Sequence, residues 1–223
     1  MKDSVRNFQG WLLFAPAAIL LLAFTHYPTV TTFIHSLYTN KSFIRPKRFS
    51  GIESYESMFS DPIFFKVFVN NMWLALGTIP TSIALAIIMA LIVNKAIPGR
   101  GLLRMAYFTP TMLPMIAVAN IWLFFYAPEI GLIDKTMAIF GFESTNWLGS
   151  PTTVLPSIMV MTIWKEAGFF MVFYLAGLQT ISPELEEASK LEGSSRWNDF
   201  WRIQFPLLLP TTLFVLILSL IHI

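Results

Sequence analysis

The residues best able to act on another molecule lie in one polar segment, 182–206. It reads Ser182-Pro-Glu-Leu-Glu-Glu-Ala-Ser-Lys-Leu-Glu-Gly193, then Ser-Ser-Arg-Trp-Asn-Asp-Phe-Trp-Arg-Ile-Gln-Phe-Pro206. Ser182 is a natural N-cap and Pro183 a natural first helical residue. Glu184, Glu186 and Glu187 occupy the first turns, where the helix dipole favours negative charge. Leu185, Ala188 and Leu191 recur at three-residue steps and form a narrow apolar stripe. Gly193 suits the left-handed position that ends a helix. Ser194 or Ser195 can cap a second short helix, which Pro206 closes. The pattern predicts helix, glycine hinge, helix, exposed beyond a membrane. Two readings fit it: an interfacial helix pair anchored by Trp197 and Trp201, or a docking element for another protein.

A second chemical feature is the adjacent pair Lys165 and Glu166 inside the otherwise uncharged stretch 154–178. An ionisable side chain within a membrane span costs about 2.5–3.5 kcal/mol on insertion scales, so it points to a function by default. Neighbouring helical residues diverge by about 100°, and these two need not pair with each other. Either the fourth span breaks here and both charges reach water or a partner subunit, or they line a translocation path. On the second reading Trp164, Phe169 and Phe170 flank the pair as further path residues. The remaining aromatic residues, among 21 Phe, 7 Trp and 6 Tyr, read most simply as lipid-facing or packing groups.

Other chemistries find no support. There is no G-x-x-x-x-G-K-[ST] loop for phosphates, no H-E-x-x-H and no G-x-S-x-G. His26, His35 and His222 share no ligand spacing, so no metal site is expected, nor any cofactor. Cysteine is absent, which excludes disulfides and thiolate chemistry. A net charge of +2 offers no electrostatic case for nucleic acid.

The elements that must position these residues are membrane spans. Of the 223 residues 55% are hydrophobic and 13% charged, against roughly 25% charged in ordinary globular proteins. Segments 11–33, 67–93 and 105–126 carry no Asp, Glu, Lys or Arg, and each exceeds the roughly 20 residues that cross the hydrocarbon core. Lys2 and Arg6 precede the first, but it is too long for a signal peptide and reads as a retained span. The polar stretch 36–66 contains a turn and a short helix near 49–55, and Ser60-Asp61-Pro62 resembles a helix start. The second span starts near Lys66 and ends before Asn94. Pro110 and Pro114 predict a kink or break in the third. A polar connection, 127–153, leads to the fourth span, 154–178. Residues 207–223 begin a fifth span without a polar end, which suggests an incomplete fragment. Lys and Arg in the loops number eight on the side of the N-terminus and six on the other, a slight vote for a cytoplasmic N-terminus.

The loop resembles the cytoplasmic loop of binding-protein-dependent permeases of ABC importers, whose pattern is Glu-Ala-Ala, then Asp-Gly-Ala, then Ile-x-Leu-Pro. This chain has Glu187-Ala188-Ser189, Glu192-Gly193-Ser194 and Ile203-Gln204-Phe205-Pro206 in that spacing; Ser189, Glu192, Ser194 and Phe205 depart from it. Short matches at Gly51–Tyr55, Gly99–Arg104, Thr109-Pro110, Gly131-Leu132, Asn146–Leu148 and Ala176–Gln179 narrow the resemblance to the sugar-type branch. It implies an all-α polytopic helical bundle of the type I ABC importer permease fold, with about five of six spans present. It implies a first unit, 1–66, made of an N-terminal span and an extracytoplasmic segment, and a permease core, 67–223, carrying the coupling loop 182–206. It further implies ATP-driven uptake of a sugar or related polar solute across a bacterial or archaeal cytoplasmic membrane, with no hydrolysis by this chain. The implied partners are a second permease subunit, ABC ATPase subunits, an extracytoplasmic solute-binding protein and membrane lipid. A secondary transporter or a membrane scaffold are the competing expectations.

Overall fold

The computed structural model describes residues 2–38, 48–95 and 97–222, without the side chains of residues 2–9, Glu186 and Lys190. Lys41, Arg45 and Lys47 of the charge comparison, and Ile223 at the end of the fifth span, lie outside the described residues. The chain divides into two compact units, Met1–Phe68 and Val69–Ile223.

The first unit holds helix α1 (Lys2–Leu21), a π-helical turn (Leu22–His26) and α2 (Tyr27–Ser36). Gly10–Ser36 of this run is long and apolar enough to cross a membrane. Pro28 does not break it. Tyr27 donates to the Leu22 carbonyl five residues back, and the widened turn makes room for the proline ring that follows. Helix α3 (Glu53–Ser60) lies within the polar stretch 36–66, and Tyr55 shares a 2.6 Å hydrogen bond with Ser36. Asp61 then caps α4 (Pro62–Asn94): its Oδ1 accepts from the Ile63 amide at 2.8 Å, with Pro62 in the first helical position. The second span is thus 33 residues long and starts four residues earlier than Lys66 suggests.

In the second unit, α5 (Arg100–Met112) and α6 (Met115–Phe125) replace the single third span of the sequence reading. They are bent by 101° to each other. Leu113 is extended, at φ −76° and ψ 135°, because a residue before proline is pushed out of the helical region; Pro114 then caps α6. Beyond α7 (Leu132–Ile139) runs α8 (Val154–Gln179), an unbroken helix of 26 residues. The break expected at Lys165 and Glu166 does not occur. A charged side chain removes no backbone donor, so nothing interrupts the ladder there. The chain closes with α9 (Pro183–Leu191), α10 (Arg196–Asp199), a second π-helical turn (Phe200–Gln204) and α11 (Phe205–His222).

Among the described residues four helices could cross a membrane, or five if the bent α5–α6 pair is one crossing. Such helices are apolar on every side, so burial of apolar area does not choose their partners; close approach of small residues and interhelical hydrogen bonds do. Helix α8 collects both. A Cβ on Gly168 would stand 1.8 Å from the Tyr107 carbonyl oxygen of α5, and one on Gly177 would stand 2.8 Å from Leu208 of α11. Gly77 of α4 admits the Met159 thioether in the same way, at 2.7 Å. Thr111 donates to the Lys165 carbonyl (3.0 Å), Tyr126 to that of Ser157 (2.9 Å) and Tyr174 to Thr212 Oγ1 (3.1 Å). Around these contacts Ala86, Ala90, Phe170, Tyr174, Leu208 and Val215 form the core.

Gly168→Val should therefore cost more stability than Gly177→Ala. The first meets a rigid backbone carbonyl, the second the ends of Leu208 and Thr211 side chains that can turn aside. Thermal unfolding of the two variants in one detergent tests this; equal losses would show that the α5–α8 crossing is not backbone-limited.

Candidate functional site

The corner between α8 and α11 is built by local capping. Ser182 Oγ accepts from the Glu184 amide at 3.3 Å and starts α9. Gly193 ends it at φ +75°, in the left-handed region. No heavy atom lies within 4 Å of where a Cβ on Gly193 would be, so the glycine meets a backbone need and relieves no crowding. Ser195 Oγ accepts from the Asn198 amide at 3.3 Å and starts α10.

Pro206 does not close a second short helix, contrary to the sequence expectation. Arg196–His222 is one helical run of 27 residues. Phe205 donates to the Phe200 carbonyl five residues back, and the widened turn accommodates the ring of Pro206, as it does before Pro28. The corner therefore joins directly to the last span.

On α9, Glu184, Glu187 and Ala188 are exposed, and so is Glu192 just past its end. The apolar stripe is also uncovered: Leu185 is 47% and Leu191 89% exposed. Among the described side chains of this helix Ser189 is the buried one, at 6%. Its hydroxyl donates to Asp199 Oδ1, and its carbonyl accepts from the Ser194 amide at 3.1 Å. Ser194 and Ile203 are half-buried and Pro206 is exposed. Trp197 and Trp201 meet edge to face at 5.7 Å. With Phe200 and Phe205 they form one wall of an apolar groove of about 660 Å³ whose other wall is α4.

The second cluster lies midway along α8. Lys165, Glu166, Phe169 and Phe170 line a small pocket of about 220 Å³ together with Thr111 of α5 and His222 of α11. Glu166 Oε2 is buried there and has no hydrogen-bond partner among the described residues. Trp164 is not part of this pocket. Its ring packs edge to face on Trp122 at 5.7 Å, beside Tyr126 and Trp147. Thr111 and His222 escaped the sequence reading because only the fold brings them to the charged pair.

Residues 82–223 match the family model described as binding-protein-dependent transport system inner membrane component. The chain belongs to this family. The permease is accordingly a multi-pass inner-membrane component of a solute transport system, and the secondary-transporter and scaffold readings fall away. It is 33% identical to the sulfoquinovosyl glycerol transport permease of Agrobacterium fabrum, over 92% of this chain and 67% of that one. It is 32% identical to the trehalose/maltose transport permease of Thermococcus litoralis, over 94% and 71% respectively. A lactose transport permease of Rhizobium radiobacter shares 30% identity over 98% of this chain and 74% of its own. The fold matches a chain of a bacterial alginate ABC transporter, solved in complex with an alginate-pentasaccharide-bound periplasmic protein. The TM-score is 0.84 at 24% identity, covering 98% of this permease and 73% of that chain.

At the end of α8 remote from the corner, the permease has a feature that sequence reasoning missed. Asp134 of α7 is buried and accepts hydrogen bonds from the Ser144 hydroxyl, the Glu129 amide (2.7 Å), the Trp147 indole (2.8 Å) and the Thr145 amide (3.2 Å). Led by the Ser144 hydroxyl and the Glu129 amide, these donors hold its carboxyl down at about 2, against desolvation. Spacing shows none of this, since the donors lie on both sides of the aspartate along the chain.

A carboxyl depressed in the folded protein stabilises it above the unfolded value, near 4, and loses that contribution as pH falls toward about 2. Trypsin cleavage at Lys135, followed after brief exposure to buffers between pH 5 and 2, should rise across that window. Asp134→Asn should show the raised cleavage already at pH 7; a flat profile in both proteins would remove Asp134 as the fastener of this loop.

Proposed function

We propose that this permease is the membrane subunit of an ATP-driven importer for a carbohydrate or related polyol. On this proposal α9 is the helix on which a separate ATPase subunit docks. The observation that carries the reading is the uncovered face of α9, an acidic helix with an apolar stripe held at the end of two spans. An isolated interfacial helix would need only to lie on the membrane. This one is fastened through the corner to α11, which is what transmitting motion requires. Relatives named for sulfoquinovosyl glycerol, trehalose/maltose and lactose support the substrate class. The working assembly then comprises a second permease subunit, two ATPase copies that hydrolyse the ATP and an extracytoplasmic solute-binding protein.

In this reading residues 1–66 supply an N-terminal span with an extracytoplasmic segment, and 67–223 the permease core with its loop 182–206 in the cytoplasm. Glu187 offers charge to the ATPase, and Ala188 allows close approach of its surface. Glu192 and Ser194 flank the Gly193 turn. Ile203 and Pro206 set the path into α11. Ala188→Trp adds bulk at an exposed position, outside the packed core of the permease. It should abolish co-purification with the ATPase subunit and ATP-dependent uptake. Retention of both would overturn the docking role.

The translocation path runs, on a second proposal, past Lys165, Glu166, Phe169 and Phe170. The supporting observation is the unpartnered Glu166 oxygen in a pocket flanked by two rings, since polar groups and aromatic faces together suit a hydroxylated ring. Lys165→Met and Glu166→Gln should each reduce uptake by about tenfold or more, the scale of a lost charged hydrogen bond, with ATPase co-purification unchanged. Wild-type uptake kinetics in both variants would reject the path.

A further inference from the structure

We infer that Ser189 and Asp199 form a latch that locks the α9 corner to the last span, so that α9 and α11 move as one body. The inference rests on the docking role of α9 proposed above, and adds the residue pair that makes docking effective.

The corner contains one weak point. Gly193 turns the chain at φ +75° with open space around it, so neither side chain nor neighbour restrains rotation there. A force applied to α9 would be absorbed at Gly193 unless something bridges it. Two contacts do. The Ser194 amide donates to the Ser189 carbonyl, but it precedes α10 and stays with the turn. The Ser189 hydroxyl reaches past the turn to the Asp199 carboxylate, at the last residue of α10. Asp199 continues through the π-helical turn into α11 without a break. The hydroxyl is thus a side-chain tie from α9 to the helical run that enters the membrane.

The choice of residue agrees with this role. Serine is a poorer helix former than alanine, and it competes for backbone hydrogen bonds in a helix interior. Here it is buried among the described side chains of α9, where Ala188 and Leu191 are exposed. An apolar residue would suit a merely buried site; the hydroxyl is accounted for by the carboxylate it meets. A hydrogen bond to a charged acceptor is also stronger than a neutral one. Ser189 acts through another group, so it is a positioning residue.

The permease contains no cysteine, so spin labels can be placed at single chosen sites. Glu184→Cys on α9 and Leu213→Cys on α11 are both exposed. Their separation should show one narrow distance distribution in the purified permease. In the complex with its ATPase it should stay narrow and unchanged on adding ATP with vanadate. Ser189→Ala should broaden the distribution about twofold, as expected for a locally opened corner, with ATPase co-purification intact. Ser189→Thr, which keeps the hydroxyl, should restore the narrow distribution. A Ser189→Ala distribution as narrow as wild type overturns the latch. Loss of ATPase co-purification in Ser189→Ala also overturns it, by assigning the hydroxyl to the docking face. The docking role fails separately, if Ala188→Trp leaves co-purification unchanged while the Ser189→Ala broadening is still seen in the isolated permease.

Discussion

The packing of α5 beneath α8 at Gly168 is the constraint on which the second unit depends. Lipid tails are as apolar as Leu or Phe, so the side chains that cover these helices cannot tell a helix from a lipid. Selection is left to what lipid cannot offer: backbone at van der Waals range and a hydroxyl that finds a carbonyl. Gly168 allows the Tyr107 carbonyl to approach to where a methyl group would sit, and Thr111 donates to Lys165 one turn away. The same pairing recurs at α11, with Gly177 for proximity and Tyr174 for the hydrogen bond. Helix α8 thereby becomes the axis to which the others are tied.

Prolines shape the rest, in two different ways. At Pro114 the preceding residue is driven into extended geometry and the chain turns by 101°. At Pro28 and Pro206 a π-helical turn ends two residues earlier, and the helix runs on. The widened turn spares the ladder at the cost of one poorly spaced step, a smaller loss than a break inside a membrane, where freed carbonyls have no water.

Much of this was legible in the chain because it is written locally. Absence of charge located the spans, and Asp61-Pro62, Ser182-Pro183, Gly193 and Ser195 located helix ends through single-residue capping chemistry. The failures are those of local reading. Pro206 taken alone reads as the end of a helix, and the π-helical turn before it is what lets the helix run on. Of the two readings of Lys165 and Glu166 the break in α8 fails, because side-chain charge acts on solvation and leaves the backbone ladder alone. Asp134, His222 and Asp199 carried no signal, since each acquires meaning from a partner that only the fold supplies. Trp164 looked like a neighbour of the charged pair in sequence, but a helix sends adjacent residues about 100° apart, and it faces Trp122 instead.

The arrangement along α8 links these pieces. The helix rises about 39 Å over its 26 residues. The loop that Asp134 organises precedes its N-terminal end, and the α9 corner adjoins its C-terminal end. Lys165 and Glu166 sit near the middle, and their pocket takes its other walls from α5 and α11. Those two helices are the ones bound to α8 by a glycine contact and a hydrogen bond each. A displacement of α11 relative to α5 would therefore alter the pocket even with α8 fixed, because Thr111 and His222 ride on different helices from Glu166. A corner rigid enough to carry α11 with α9 would then pass a displacement of the exposed acidic helix to the wall of the pocket that His222 supplies.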